Sequence, residues 1–213
     1  PEDGPQRPGR AGAGSGQGMK PGKRKRHFVL NFFSCFLIPV YTISFAGGTE
    51  WFGSDFSVIA VTGWDHYRGF LYWGLLAGSY FFVVVNRLAF SLPGHWARLA
   101  VSWLVLAACL ALGYALAIPY LPDYFPRFAA LHVGLAAGAC ALLMLALLVV
   151  LLILRRQRPE RYGRLLIAWG LIVLGSAVLF LIPRMVSSAL EVFFTISAAL
   201  LARKLYILRQ GEL

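Results

Sequence analysis

Charged residues are scarce in this chain of 213 residues: only 14% are Asp, Glu, Lys or Arg, whereas 59% are hydrophobic. Soluble domains carry about 25% charged and about 45–50% apolar residues. A soluble protein of this size has too little interior to bury so much apolar surface, so an ordinary soluble enzyme is excluded. The high apolar content also excludes a largely disordered chain.

Cysteine and catalytic signature motifs are scarce as well. Three cysteines are too few for a disulfide-stapled module, and none of them forms a CxxC pair. The sequence has no P-loop, no glycine-rich dinucleotide turn, no HExxH and no nucleophile elbow. A single histidine in an apolar segment, His132, is a poor basis for haem. We therefore expect no cofactor.

Six apolar stretches fill most of the chain. A bilayer core of about 30 Å is crossed by roughly 20 apolar residues in a helix. Stretches that meet or approach this length lie at about 28–47, 69–90, 97–120, 128–154, 165–183 and 188–208. None of them alternates between apolar and polar residues as a strand of a membrane barrel does. The sequence therefore predicts an all-α polytopic membrane protein with six transmembrane helices.

The basic residues lie mainly on one side of these predicted helices. Of the 20 Lys and Arg residues, only Arg68, Arg127 and Arg184 fall in connections on the other side. Lys and Arg accumulate in cytoplasmic loops, so both termini are predicted to be cytoplasmic and the protein to lie in a plasma membrane. We interpret the net charge of +11 as a determinant of topology beside anionic lipid headgroups. Membrane lipids are thus the expected partners, and nucleic acid is not.

The ends of the chain differ from the apolar stretches. Residues 1–27 form a tail rich in Gly, Pro and basic residues, which is predicted to be disordered. Within this tail, Met19 precedes a basic run, and we expect it to be the natural start. The first apolar stretch resembles a signal peptide that ends at Ala46, but it is longer than a signal core, so we expect it to be retained. Residues 28–208 form the predicted bundle, and residues 209–213 a short cytoplasmic C-terminus.

Two glycine pairs predict where helices pack. Gly74 and Gly78 lie on one face of the second stretch, and Gly134 and Gly138 lie on one face of the fourth. This spacing of small residues lets two helices approach closely in a membrane. The two pairs lie at a similar depth, so we expect the second and fourth helices to touch there. Homodimerisation through these faces is the alternative.

Ionisable residues inside apolar stretches are candidates for function, because they are costly to place there. Only His132 and Glu191 qualify, and each lies about one turn inside the side opposite the basic loops. Together with Asp123 and Asp55, they would line one outward-facing pocket. A histidine and carboxylates can bind a metal or act as acid and base.

The same two residues also have structural interpretations. Ser188 and Glu191 have the spacing of a capping box, in which the glutamate returns to the start of its own helix. A contact between Glu191 and Arg184 is a further alternative. His132 is equally explained by a hydrogen bond between helices.

Three short motifs occur in an order that resembles a known family. They are Gly53-Ser-Asp-Phe-Ser-Val58, Pro119-Tyr-Leu-Pro-Asp-Tyr-Phe-Pro126 and Leu131-His132. This order resembles the bacterial six-helix membrane family called domain of unknown function 998, and more distantly the Frag/DRAM/Sfk group. The resemblance implies a six-helix fold in a bacterial membrane, and it implies roles for Ser54, Asp55 and His132.

No complete catalytic constellation is visible, so we expect a non-enzymatic membrane protein that binds lipid or a partner. The partner would be another membrane protein or a second copy of the chain. The alternative is a lipid-modifying enzyme that uses His132 as acid or base, with one of the three acidic residues above orienting it or holding a metal. A small-solute transporter is the third possibility. Its polar path would have to use Asn31 and Asn86, which we otherwise expect to hydrogen-bond between helices.

Overall fold

The computed structural model describes residues 28–48 and 50–212. In these ranges the regular structure is entirely helical and no strand occurs. Six long helices and one short helix follow one another: α1 (Phe28–Ala46), α2 (Phe56–Val61), α3 (Trp64–Phe90), α4 (His95–Ala117), α5 (Pro126–Gln157), α6 (Pro159–Leu181) and α7 (Ser188–Gln210). The all-α prediction is confirmed for this part of the chain. The predictions for residues 1–27, Met19 among them, lie outside the described residues.

Five of the helices, α1 and α3 to α6, are long and apolar enough to cross a membrane. By the length and composition of its helices, the chain is thus a multi-pass membrane protein. The sixth predicted span, α7, has 23 residues, but its composition is not apolar enough for it to count with these five helices. Its charged residues make it too polar; they are Glu191, Arg203, Lys204 and Arg209. Six spans and cytoplasmic termini stay predictions.

The apolar stretches predicted the middle of each helix better than its ends. Helix α3 begins at Trp64 and α6 begins at Pro159, whereas the stretches begin at 69 and 165. These first turns are polar and continue the helix beyond the apolar run. Pro159 takes the start of its helix, where a missing N–H costs nothing. Helix α4 ends at Ala117 instead of 120, because Pro119 disfavours helical backbone just before it.

Helix α3 lies at the centre of the bundle and packs against α1, α2, α4, α5 and α7. The long helices alternate in direction, so the bundle has two ends. The basic end holds the start of α1, the α3–α4 and α5–α6 connections and the end of α7. The opposite end, called the α2 end below, holds α2, the α4–α5 connection and the start of α7. The main hydrophobic core runs between the two ends.

Helix α1 widens in its middle, where Phe33–Leu37 form a π-helical turn. Pro39 follows this turn and explains it. Proline lacks an N–H, and its ring clashes with the carbonyl four residues earlier in an α-helix. A wider turn accommodates both effects. Inside the turn, the buried Ser34 hydroxyl donates to the carbonyl of Leu30 at 2.7 Å.

The two asparagines with a predicted bridging role differ. Asn31 in α1 accepts a hydrogen bond from Nε of Arg203 in α7, at 2.7 Å, so bridging is confirmed for this residue. Asn86 instead donates to the carbonyl of Phe82, one turn back in its own helix, and its side chain is not buried between helices. The prediction is wrong for Asn86, because the side chain lies on an exposed face of α3.

Candidate functional site

The connection after α1 folds into α2, whose apolar residues pack into the bundle. Asp55 caps this helix, since its Oδ1 accepts from the backbone N–H of Val58 at 2.7 Å. Phe56 is fully buried, and its ring meets those of Phe45 and Trp73 edge-on, with centroids 5.1 and 5.0 Å away. This burial fixes the polar residues at the start of α2 against the neighbouring helices.

His132 lies in the second turn of α5 beside the start of α2, and it is only 4% exposed. Its Nδ1 lies 2.8 Å from the carbonyl oxygen of Ala115 and 2.9 Å from that of Ile118. A carbonyl only accepts hydrogen bonds, so these partners assign the ring hydrogen to Nδ1. In the neutral ring Nε2 is then an acceptor, and the Ser57 hydroxyl donates to it at 2.7 Å. The predicted hydrogen bond between helices is confirmed for His132.

Glu191 does not form the predicted capping box. The cap of α7 is Ser187, whose hydroxyl accepts from the N–H of Leu190 at 3.4 Å. The Oε2 of Glu191 instead accepts from the backbone N–H of Phe56, at 2.7 Å. Across residues 28–48 and 50–212, no cationic side chain, Arg184 included, lies within ion-pair distance of Glu191. The carboxylate therefore ties the start of α7 to the start of α2.

The start of α7 also binds the connection that precedes α2. Ser188 donates to the carbonyl oxygen of Ser54 twice, from its N–H at 2.8 Å and from its hydroxyl at 3.0 Å. The N–H of Ala189 donates to the carbonyl of Trp51 at 3.0 Å. The hydroxyl of Ser54 turns back to the carbonyl of Glu50, at 3.0 Å. Ser54 thus contributes its carbonyl to this contact and not its hydroxyl.

The electrostatics of the site are dominated by two carboxylates. Burial raises the pKa of Asp55 above its ordinary value, and the backbone N–H donors of Val58 and Ser57 oppose this only in part. Glu191 and Asp55 repel each other. The site therefore favours a proton or a positively polarised group.

The structure does not bring Asp123 into the site; this residue is exposed in the α4–α5 connection. Asp55, His132 and Glu191 do come together. Ser57 completes the cluster, although it was not among the predicted site residues. It is the only polar side chain in Phe56–Val61, which is the signal that would have found it. Among the described residues, no three His, Cys, Asp or Glu side chains are arranged to hold a metal.

A serine that donates to a histidine in this way is arranged for acyl transfer, because the imidazole can take up the hydroxyl proton. The carbonyls of Ala115 in α4 and of Ile118 just after it hold the Nδ1 hydrogen, a role that a carboxylate has in many triads. The N–H groups on either side of Ser57 are already bonded, that of Phe56 to Glu191 and that of Val58 to Asp55. In this arrangement they are not free to stabilise an oxyanion.

An apolar cleft lies between α3, α4, α5 and α7. Its lining includes Trp73, Gly78, Leu112, Cys140, Phe194 and Thr195. Thr195 is one turn from Glu191 in α7, and Cys140 is two turns from His132 in α5. The cleft therefore lies one to two helical turns from the polar cluster, toward the middle of the bundle, and none of the four cluster residues lines it. A polar cluster near an apolar cleft is an arrangement that suits an amphiphile.

The glycine pairs do not meet as predicted. A Cβ on Gly74 would overlap the side chain of Leu116, and one on Gly78 would lie 3.5 Å from Leu112, so this face packs against α4. A Cβ on Gly134 or Gly138 would meet no atom within 4 Å. The expected contact between the second and fourth predicted helices through both pairs is therefore wrong. The bulky Leu116 of α4 fills the hollow at Gly74, whereas Gly78 lines the cleft.

None of the protein-family models, curated proteins or solved structures compared with the chain matches it. The resemblance to domain of unknown function 998 and to the Frag/DRAM/Sfk group stays a prediction, as do the roles that it implies. The chain is a helical multi-pass membrane protein that carries the buried Ser57, His132 and Asp55 and the half-buried Glu191 at the α2 end of its bundle.

Proposed function

We propose that this protein binds a membrane lipid at the α2 end, with an acyl chain in the cleft and the polar end of the lipid beside Glu191 and Thr195. The observation that carries this proposal is the apolar cleft itself, whose buried Thr195 lies one helical turn along α7 from Glu191 of the polar cluster. The leading role is non-enzymatic, because the side chains of the cluster are engaged in hydrogen bonds within the protein.

The topology that goes with this role has six spans and cytoplasmic termini in a bacterial plasma membrane. Helix α7 supports the sixth span, since it packs along α1 and α3 and carries no charge between Val192 and Ala202. Arg203, near the end of α7, donates a hydrogen bond to the side chain of Asn31 in α1, so its guanidinium has a polar partner where the two helices meet. The clustering of basic residues at one end supports the orientation.

Native mass spectrometry of the protein released from mild detergent tests lipid binding directly. Gly78→Val places a branched side chain in the cleft, whereas Gly134→Val makes the same change at a position with nothing within 4 Å. We expect wild type and Gly134→Val to retain lipid and Gly78→Val to lose it. Equal retention by both variants, or a wild-type protein that carries no lipid, would contradict the proposal.

Thiol alkylation gives a second readout that needs no substitution. Cys109 and Cys140 both line the cleft, whereas Cys35 lies on α1 away from it; Cys35 and Cys140 are both exposed, so they serve as the compared pair. Adding back the retained lipid to delipidated protein should slow the reaction of N-ethylmaleimide with Cys140 several-fold and leave Cys35 unchanged. A lipid that protects both thiols equally would indicate a general annular effect instead of occupation of the cleft.

A second candidate function is acyl transfer from a lipid carboxylic ester, which the 2.7 Å bond between Ser57 and His132 favours. The Ser57 oxygen would attack the ester carbonyl carbon while its proton passes to Nε2 of His132. The leaving alcohol would take that proton as its bond to the acyl group breaks. Water would then attack the acyl-serine, give its proton to His132 and release the fatty acid, and Ser57 would recover the proton.

A fluorophosphonate probe separates this candidate from simple binding. We expect labelling of wild type, none of Ser57→Ala, and strongly slowed labelling of His132→Gln. Ser79→Ala is the matched control, because the Ser79 hydroxyl bonds only within its own helix, to the carbonyls of Leu75 and Leu76. A wild-type protein that does not react, but retains lipid, rejects the enzyme and keeps the binding role.

A further inference from the structure

Three arginines and a tyrosine converge on one carboxylate at the basic end. The Oε2 of Glu212 accepts from the Tyr162 hydroxyl at 2.9 Å and from Nη1 of Arg209 at 3.1 Å. Its Oε1 lies 3.5 Å from Nη1 of Arg161 and 3.8 Å from Nε of Arg158. The groups come from the α5–α6 connection, the first turn of α6 and the end of α7.

The Glu212 carboxylate does not hydrogen-bond to all the donors that surround it. Charge-assisted N–H···O bonds are about 2.7–2.9 Å long, so Arg158 and Arg161 attract Glu212 without hydrogen-bonding to it. Its Oε1 is buried and has no hydrogen-bond partner among the described residues. Three guanidinium groups also face a single negative charge, so the site keeps an excess of positive charge. A larger anion with more oxygens would match it better.

The donors are held in place before any ligand arrives. Tyr162 is fully buried. Arg209 is anchored from its other side, because its Nη2 donates to the carbonyl of Ser91 at 2.6 Å. Arg158 and Arg161 are more than half exposed, at 58% and 54% of their side chains. The site is therefore rigid at its base and open at its rim.

We propose that this arginine–tyrosine site binds a phosphate group, and that Glu212 fills the site as an internal substitute. A tetrahedral phosphate presents three or four oxygens, enough to receive Tyr162, Arg209 and the two rim arginines together. The site lies where α5 and α7 end and α6 begins, which is the level at which lipid headgroups lie. The phosphate belongs to an acidic phospholipid of that leaflet or to a soluble phosphate. The inference is independent of the lipid proposed at the α2 end.

The test compares wild type with Glu212→Gln, which keeps the side-chain size but removes the competing charge. Native mass spectrometry is run in detergent with phosphatidylglycerol, and thermal unfolding is followed with phosphatidylglycerol and, separately, with inorganic phosphate. We expect the apparent Kd for phosphatidylglycerol to fall on the order of tenfold in Glu212→Gln, because the Glu212 carboxylate no longer competes for the site. Stabilisation by the lipid alone assigns a headgroup, whereas stabilisation by inorganic phosphate as well assigns a soluble anion.

Two arginine pairs provide the control for general attraction to a basic surface. Arg158→Ala/Arg161→Ala removes the rim of the site, and Arg155→Ala/Arg156→Ala removes the same charge from exposed neighbours that have no ion pair among the described residues. In the Glu212→Gln background, the first pair should abolish the gain and the second should preserve it. An unchanged Kd in Glu212→Gln, or equal losses from both pairs, would overturn the proposal. If Glu212→Gln unfolds more easily, phosphatidylglycerol should restore its Tm; failure to do so counts equally against it.

Discussion

The Ser57 hydroxyl lies 2.7 Å from Nε2 of His132, although 75 residues separate the two in the chain. This bond joins α2 to α5, while the Nδ1 of the same imidazole holds the end of α4. One histidine thus links three helices at the α2 end. Its two ring nitrogens have opposite roles, one as donor and one as acceptor, so the neutral form is satisfied on both sides.

Removing the Ser57 hydroxyl should destabilise the protein. Ser57→Ala leaves the buried Nε2 of His132 without a donor, which costs about 1–3 kcal/mol of unfolding free energy. Thermal unfolding in detergent measures the change as a lower Tm. Ser79→Ala, the matched control on an exposed face of α3, should stay within about 0.5 kcal/mol of wild type. Equal effects of the two variants would show that the bond contributes nothing to stability.

Asp55 should make the stability of the protein fall as the pH rises through the acidic range. Because burial raises its pKa in the folded state, the folded protein binds more protons than the unfolded chain from about pH 4 up to the raised pKa. Over that window the unfolding free energy decreases with increasing pH. Asp55→Asn keeps an oxygen that can cap α2 but does not titrate.

The measurement is the difference in unfolding free energy between wild type and Asp55→Asn at a series of pH values. We expect wild type to lose stability relative to the variant as the pH rises from about 4 toward neutrality. His132 and Glu191, the other titratable groups near Asp55, are present in both proteins. A difference that does not vary with pH would mean that Asp55 has the same pKa in the folded and unfolded states.

Glu212 should have the opposite effect to Asp55: it should make the stability of the protein rise with pH in the acidic range. Burial alone would raise its pKa, but hydrogen bonds from Tyr162 and Arg209 and the charges of Arg158 and Arg209 outweigh it, so the pKa is lower than usual. The stabilisation is present above the ordinary pKa of about 4.3 and is lost as the pH falls through the lowered value. Glu212→Gln should therefore be less stable than wild type at neutral pH and equal to it in strong acid. Glu160→Gln, at an exposed residue, should show no such trend.

Gly74 should tolerate no side chain. A Cβ there would lie 2.8 Å from Cδ2 of Leu116, so Gly74→Ala forces α3 and α4 apart at a cost of about 1–3 kcal/mol. Unfolding of the single and double variants gives the coupling energy. Combined with Leu116→Ala, the glycine substitution should cost less than it does alone. Gly134→Ala, with open space around it, should change stability by less than about 0.5 kcal/mol. If the effects of Gly74→Ala and Leu116→Ala on the unfolding free energy were strictly additive, positions 74 and 116 would not be in steric conflict.

The membrane class and the positions of the long helices could be predicted from the sequence, because they depend on local properties. A run of apolar residues is helical in a membrane wherever it lies, since its backbone polar groups must bond within the segment. The helix ends were predicted less well, because the change in hydropathy marks where the apolar run begins and not where the helix begins, as in the polar first turn at Trp64. His132 and Glu191 were predicted as site residues from the cost of placing ionisable groups inside apolar segments, and Asp55 was added to them as a residue of the first outer loop.

Only the tertiary structure decided what those residues contact. Glu191 has the spacing of a capping box within its own helix, yet it accepts from Phe56, 135 residues away, because α2 folds back onto the start of α7. Gly74 has the spacing that suits another glycine face, yet it receives Leu116. The spacing of residues along a helix indicates which kinds of contact a residue can make. The packing of the helices determines which of these contacts actually forms. The sequence alone therefore established a membrane bundle with ionisable residues at one end, and the fold joined Ser57 and His132 into one site.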